Sequence, residues 1–132
     1  MSNVEVRKVG QHEFVATNDR GASVPIGRAG AQGSFSPVEL LLAAMAGCAV
    51  VTVETLVHRR VGEGLSARAD DVRPEGAHEL HEVPVTLEYD VSALTDEQRA
   101  ALDVTVRRAI DQLCTVSRTL QKAPPTPLHL PG

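Results

Sequence analysis

The chain has no tryptophan, and its aromatic residues stop at Phe14, Phe35 and Tyr89, 2% of the whole. With so few flat side chains, base stacking is a poor basis for binding nucleic acid, and a core has to be built from Ala, Val and Leu. Positive charge is also scarce: 13 Lys and Arg stand against 17 Asp and Glu, a net charge of −4. That balance draws the chain neither to phosphate backbones nor to anionic membranes. The Arg59-Arg60 and Arg107-Arg108 pairs read as solvated helix faces. Two cysteines cannot make a disulfide scaffold, and 132 residues do not need one. A domain of that size buries roughly two thirds of its extended surface. One domain over residues 1–132 is expected.

Long apolar runs are missing as well. Residues 1–10 carry Glu5, Arg7 and Lys8 with no apolar stretch, so no signal peptide is expected. The longest uncharged apolar run, Leu40 to Val51, is about half of what a bilayer crossing needs. A cytoplasmic location follows by default. There free thiols persist, and a disulfide between them is transient and catalytic rather than structural. No repeat, low-complexity tract or interdomain linker is visible.

What is present reads as alternating strands and capped helices. Val4 to Val9 alternates, Gly10-Gln11 is a turn, Glu13 to Thr17 resumes, Asn18-Asp19-Arg20-Gly21 turns again, and Ala22 to Ile26 is a third strand. Gly27, Gly30 and Gly33 stand in a segment without periodicity, read as an exposed, loosely ordered loop. It lacks the strand-turn-helix context and the lysine of a phosphate loop. Ser36, Pro37 and Glu39 make a capping box for a helix over about 37–60. From Leu40 to Val51 all its faces are apolar, which predicts burial all round. One sheet covers only one side of such a helix, so a second subunit is expected on the other. Leu65 to Ala69 and Val83 to Val91 are two further strands, joined through a Pro74 to Ala77 turn. Thr95 and Gln98 cap a helix over about 96–113, and Ser117 to Lys122 is a short third one, ended by Pro124-Pro125. Leu128 to Leu130 is at most a small edge strand. The class is α+β.

The residues worth weighing are Cys48, late in the first helix, and Cys114, at the end of the second. Cysteine is among the most buried residue types, and by type alone inert packing is the commoner state for both. A reactive thiol has to be held as thiolate, which takes a cation or a helix N-terminus. Lying mid-helix, Cys48 has no N-terminal dipole of its own to draw on. His58 is about 15 Å further along the same helix, too far to serve as a base. His78 and His81 face opposite sides of an extended segment and read as surface histidines, not metal ligands.

Ser36-Pro37-x-Glu39-Leu40 through Ala46-Gly47-Cys48, with Cys114-x-x-Ser117 downstream and Asp19-Arg20-Gly21 in an N-terminal turn, resembles the OsmC/Ohr superfamily of small bacterial thiol peroxidases. The resemblance covers nearly the whole chain. It implies an intertwined homodimer with antiparallel sheets packed around long central helices and active sites at the subunit interface. It implies Cys48 as the peroxidatic nucleophile, reaching a sulfenic acid, and Cys114 as its resolving partner in a Cys48–Cys114 disulfide. Arg20 matches the family arginine that contacts thiolate and peroxide, with Arg28 or Arg118 next in line. Organic hydroperoxides are the implied substrates in an oxidative stress response. No resident cofactor is implied, only an external dithiol reductant such as a lipoylated protein. Two departures stand out. The family acid directly follows the proline, where this chain has Val38; Glu39 comes one residue, or about 100 degrees of helix, later, and is either that acid displaced or simply the capping-box acid. The residue after the second cysteine is Thr115, where proline is common. The alternative from another class is a non-catalytic OsmC-like protein that binds an apolar small molecule at a dimer interface.

Overall fold

The structure is a computed structural model that describes residues 2–132. Its elements run β1 (Glu5–Gly10), β2 (Glu13–Thr17), β3 (Ser23–Ile26), α1 (Pro37–Val61), β4 (Ser66–Ala69), β5 (Val85–Glu88), α2 (Asp96–Leu113) and α3 (Thr115–Lys122). The chain divides into two compact units, the first ending at Ala43 and the second beginning at Ala44, so the division falls within α1.

In the first unit β1, β2 and β3 form an antiparallel sheet in that order. The β1–β2 turn falls at Gln11-His12, one residue later than the sequence suggests, because the register shifts between Lys8 and Gly10 and keeps Gly10 in the strand. Phe14 pairs with Ile26 and Ala16 with Val24, which puts these four on one face, with Val15 and Pro25 on the other. The loop from Gly27 to Phe35 is exposed in its middle but tied at both ends. Gly27 N–H donates to the Phe35 carbonyl at 3.0 Å, and Phe35 N–H to the Pro25 carbonyl at 3.1 Å. Gly27 itself is buried, and a Cβ there would lie 2.5 Å from the Ser34 hydroxyl, which explains glycine at that position. The capping box then forms. Glu39 N–H donates to Ser36 Oγ at 3.1 Å, and Ser36 N–H donates to Glu39 Oε1 at 2.8 Å.

In the second unit β4 and β5 pair antiparallel, Ser66 with Glu88 through Ala69 with Val85. The strand expected over residues 83–91 is shortened at its start by Pro84, which has no N–H to donate to a ladder. At its far end Asp90 turns the chain, its carboxylate accepting from Ser92 N–H at 2.9 Å. Thr95 and Gln98 form the second capping box and start α2. The core joins two helices: Val53 and Val57 of α1, both at 0% exposure, meet Leu102 and Val106 of α2, with Leu65, Leu87, Tyr89 and Leu94 packed around them. α3 starts at Thr115, two residues earlier than expected, and ends at Ala123 in a left-handed conformation ahead of Pro124-Pro125. Leu128 to Leu130 forms no strand and stays exposed.

Within the chain α1 is covered on one side: Ala49, Val53 and Val57 are its buried residues, on one i, i+4 line, while Val51 is 77% exposed. Among the described residues α1 is the helix long and apolar enough by length and composition to cross a membrane, further than its uncharged run alone suggested. Its packing on α2 through Val53 and Val57 is that of a core helix.

The core makes a direct prediction. Leu102→Ala, at a site 3% exposed, lowers unfolding stability by about 2–5 kcal/mol in urea titration. Val104→Ala, at a site 55% exposed on the same helix, changes it by less than about 0.5 kcal/mol.

Candidate active site

Cys48 and Cys114 are both free, and the second unit brings them together. The core aligns α1 with α2: Cys114 extends the packed line of α2, one turn after Ile110, and Cys48 stands next to Ala49, which begins the buried line of α1. Cys114 is 1% exposed and Cys48 half-buried. The two thiols are close enough that each shifts the other's titration.

Their surroundings drive them in opposite directions. The Cys48 thiol is held below the ordinary cysteine range, first by the backbone N–H of Val116. Burial opposes this, and the Cys114 thiol, the Thr52 hydroxyl and the Thr115 N–H add to it. The Cys114 thiol is pushed up, chiefly by burial and then by the neighbouring Cys48, although the Ser117 N–H works the other way. The cause lies in α3. Cys114 is its N-cap residue, in extended conformation (φ −74°, ψ 96°) and making no side-chain cap. The first N–H groups of a helix have no partner inside it and carry the positive end of its dipole. Here those of Thr115 and Val116 act on Cys48, and that of Ser117 on Cys114. Mid-helix in α1, Cys48 thus has no dipole of its own helix to draw on and is lowered by the N-terminus of another. A thiol that ionises readily beside one that keeps its proton has the chemistry to act as a nucleophile and be resolved by its neighbour.

Thr52, not singled out in the sequence, belongs to this cluster. It stands one turn after Cys48 on the same face, and its hydroxyl donates to the Cys48 carbonyl oxygen at 2.6 Å. A hydroxyl has one hydrogen and rotates to suit its acceptors, so ionisation of Cys48 offers it a second one. The i, i+4 spacing was a readable signal. The N–H groups of Thr115 and Val116 were not, because α3 was expected to start at Ser117.

The other two predicted residues lie in the first unit. Arg20 sits on a turn fixed by Asn18, whose Oδ1 accepts from Arg20 N–H at 2.9 Å and from Ala22 N–H at 3.0 Å. Its guanidinium lies 3.3 Å from Asp19 with the side chain 73% exposed. Glu39 is engaged with Ser36 in the capping box. Arg118 is spent on backbone carbonyls of α2.

Two outcomes are expected when iodoacetamide labelling is followed against pH with peptide mapping. Since Cys48 is lowered and Cys114 raised, labelling of Cys48 rises at lower pH than labelling of Cys114. Thr52→Val moves the Cys48 profile to higher pH; an unmoved profile would remove Thr52 from the cluster.

The comparisons agree with this fold. The family model for OsmC-like protein matches residues 30–129. Uncharacterized proteins of Mycobacterium tuberculosis strain H37Rv and of Mycobacterium bovis are each 32% identical over 126 residues, covering 92% of this chain and 90% of theirs. Among solved structures, an OsmC-like protein from Mycoplasma pneumoniae superposes with TM-score 0.71 at 18% identity, covering 92% of this chain and 87% of that one. The organic hydroperoxide resistance protein OhrB of Bacillus subtilis superposes with TM-score 0.58 at 19% identity, covering 90% of each. At such identities the likeness is one of fold, an α+β arrangement of antiparallel sheets and helices. With the family match spanning most of its length, the chain belongs to the OsmC-like protein family.

Proposed function

We propose that this protein is a thiol peroxidase that reduces organic hydroperoxides to alcohols. The observation that carries the reading is the pair of neighbouring free thiols, a lowered Cys48 beside a buried, raised Cys114. The Cys48 thiolate attacks the distal peroxide oxygen and the O–O bond breaks. The departing alkoxide takes a proton and leaves as alcohol, and Cys48 becomes a sulfenic acid. Cys114 gives up its proton and attacks the Cys48 sulfur, expelling the hydroxyl as water and forming the disulfide. An external dithiol then returns two electrons and is itself oxidised. No resident cofactor enters this cycle, and a cytoplasmic setting suits its reduced resting state. The guanidinium of Arg20, by its match to the family arginine, is assigned to the peroxide and the developing oxyanion, and Glu39 to the acid that orients it. The Ala-, Leu- and Val-rich helix favours an alkyl peroxide over hydrogen peroxide.

The binding-module alternative has less to stand on. The described cleft of about 580 Å³ runs along the end of α1 and carries Glu54, His58, Arg59 and Glu63 beside Val50 and Val51. Its His58 Nδ1 lies 3.5 Å from Glu63, a polar lining for an apolar ligand.

We also read the protein as a homodimer joined through the open side of α1. Val51 is 77% exposed there, and a Cβ on Gly47, one turn before it, would meet nothing within 4 Å. A partner helix supplies the burial that this chain's own core leaves undone.

Purified protein is expected to consume cumene or tert-butyl hydroperoxide with dithiothreitol or dihydrolipoamide. Cys48→Ser abolishes turnover, and Cys114→Ser accumulates sulfinic or sulfonic Cys48 by mass spectrometry. Full activity in Cys48→Ser would end the peroxidase reading. For the assembly, light scattering after size exclusion should give twice the chain mass, and Val51→Glu should shift it toward monomer; a monomeric native protein would refute the dimer.

A further inference from the structure

Arg118 lies in the first turn of α3, where a cation opposes that helix's own dipole. Its guanidinium explains the placement. Nη1 donates to the carbonyl oxygens of Asp111 at 2.9 Å and Gln112 at 3.2 Å, both in the last turn of α2. That last turn contains no basic residue of its own, and the final four carbonyls of a helix lack partners within it. The Ile110 carbonyl is taken by the Cys114 N–H at 3.1 Å; Arg118 takes the next two and sets its charge at the negative end of α2. Its own backbone N–H donates to the Cys114 carbonyl at 3.0 Å. One residue therefore bonds both to the end of α2 and to Cys114, the joint between α2 and α3. No side-chain cap on α3 fixes that joint.

We propose that Arg118 is a positioning residue for the thiol pair: by tying the Asp111 and Gln112 carbonyls to the first turn of α3, it holds Cys114 and the Thr115 and Val116 N–H groups against Cys48. The inference rests on Cys48 being the reacting thiol, and it does not require a hydroperoxide as substrate. Arg118 acts through backbone geometry. The groups acting directly on Cys48 are the Val116 and Thr115 N–H groups, the Cys114 thiol and the Thr52 hydroxyl.

The test uses the full chain and three readouts: iodoacetamide labelling of Cys48 against pH, amide hydrogen exchange over residues 111–119, and formation of the Cys48–Cys114 disulfide with diamide, which takes up the two electrons. Arg118→Met removes the guanidinium and keeps the apolar stem. It is expected to move the labelling profile to higher pH, slowing Cys48 labelling near neutrality roughly threefold or more. Exchange in the first turn of α3 should quicken and disulfide formation slow. Lys122→Ala, which removes a charge from the other end of α3, should leave all three readouts unchanged. An unmoved labelling profile in Arg118→Met overturns the proposal. So does a moved profile with unchanged exchange, or an equal shift from Lys122→Ala, since either reduces Arg118 to a distant charge. Because diamide replaces the hydroperoxide, a chain that shows these shifts but turns over no peroxide loses the peroxidase reading and keeps this one.

Discussion

The first turn of α3 presents three backbone N–H groups with no helical partner, and the two cysteine sulfurs are set against them. The rest of the second unit serves that contact. Val53 and Val57 pack on Leu102 and Val106 and fix the rotation of α1 against α2. A slip of one residue in α1 would turn the Cys48 thiol by about 100 degrees and take it off the α3 terminus. Cys114 occupies the one residue that is both the end of α2 and the start of α3. Its thiol thus stays buried while its neighbours' N–H groups point past it to Cys48.

A single environment thereby gives two like groups unlike chemistry. Burial dominates at Cys114 and keeps its proton on; backbone donors dominate at Cys48 and favour its charge. Each thiol shifts the other, so the titration belongs to the pair. The division suits a nucleophile and a resolving thiol better than two packed side chains. Inert packing asks for no donors aimed at sulfur, and this site has several.

Much of the fold was legible because local chemistry and burial pattern agreed. Both capping boxes, Ser36–Glu39 and Thr95–Gln98, form as their spacing predicts. The α1 and α2 boundaries follow from them. Where the reading slipped, a competing term won. Pro84 cut the ladder that alternation alone would have extended through residue 83. The all-apolar stretch of α1 predicts burial on every side, and the chain's own core covers one side only, because hydropathy reports a side chain's preference and not whether this chain has enough surface to satisfy it. Val51 shows the difference. The cysteine pair was legible through motif, whereas Thr52 needed the helix face to be drawn and α3's donors needed its true start.

By itself the sequence determined the element order, the caps, the shortage of positive charge and the two thiols, because these are set by residue type and by neighbours within about one helical turn. Tertiary structure alone decided that the thiols are neighbours, that Cys48 is lowered by donors of a helix it does not belong to, and that Arg118 serves carbonyls of α2. Those outcomes depend on the angle at Cys114 and the packing register of α1 on α2. Both are set by contacts between residues far apart in the chain, which no local pattern encodes.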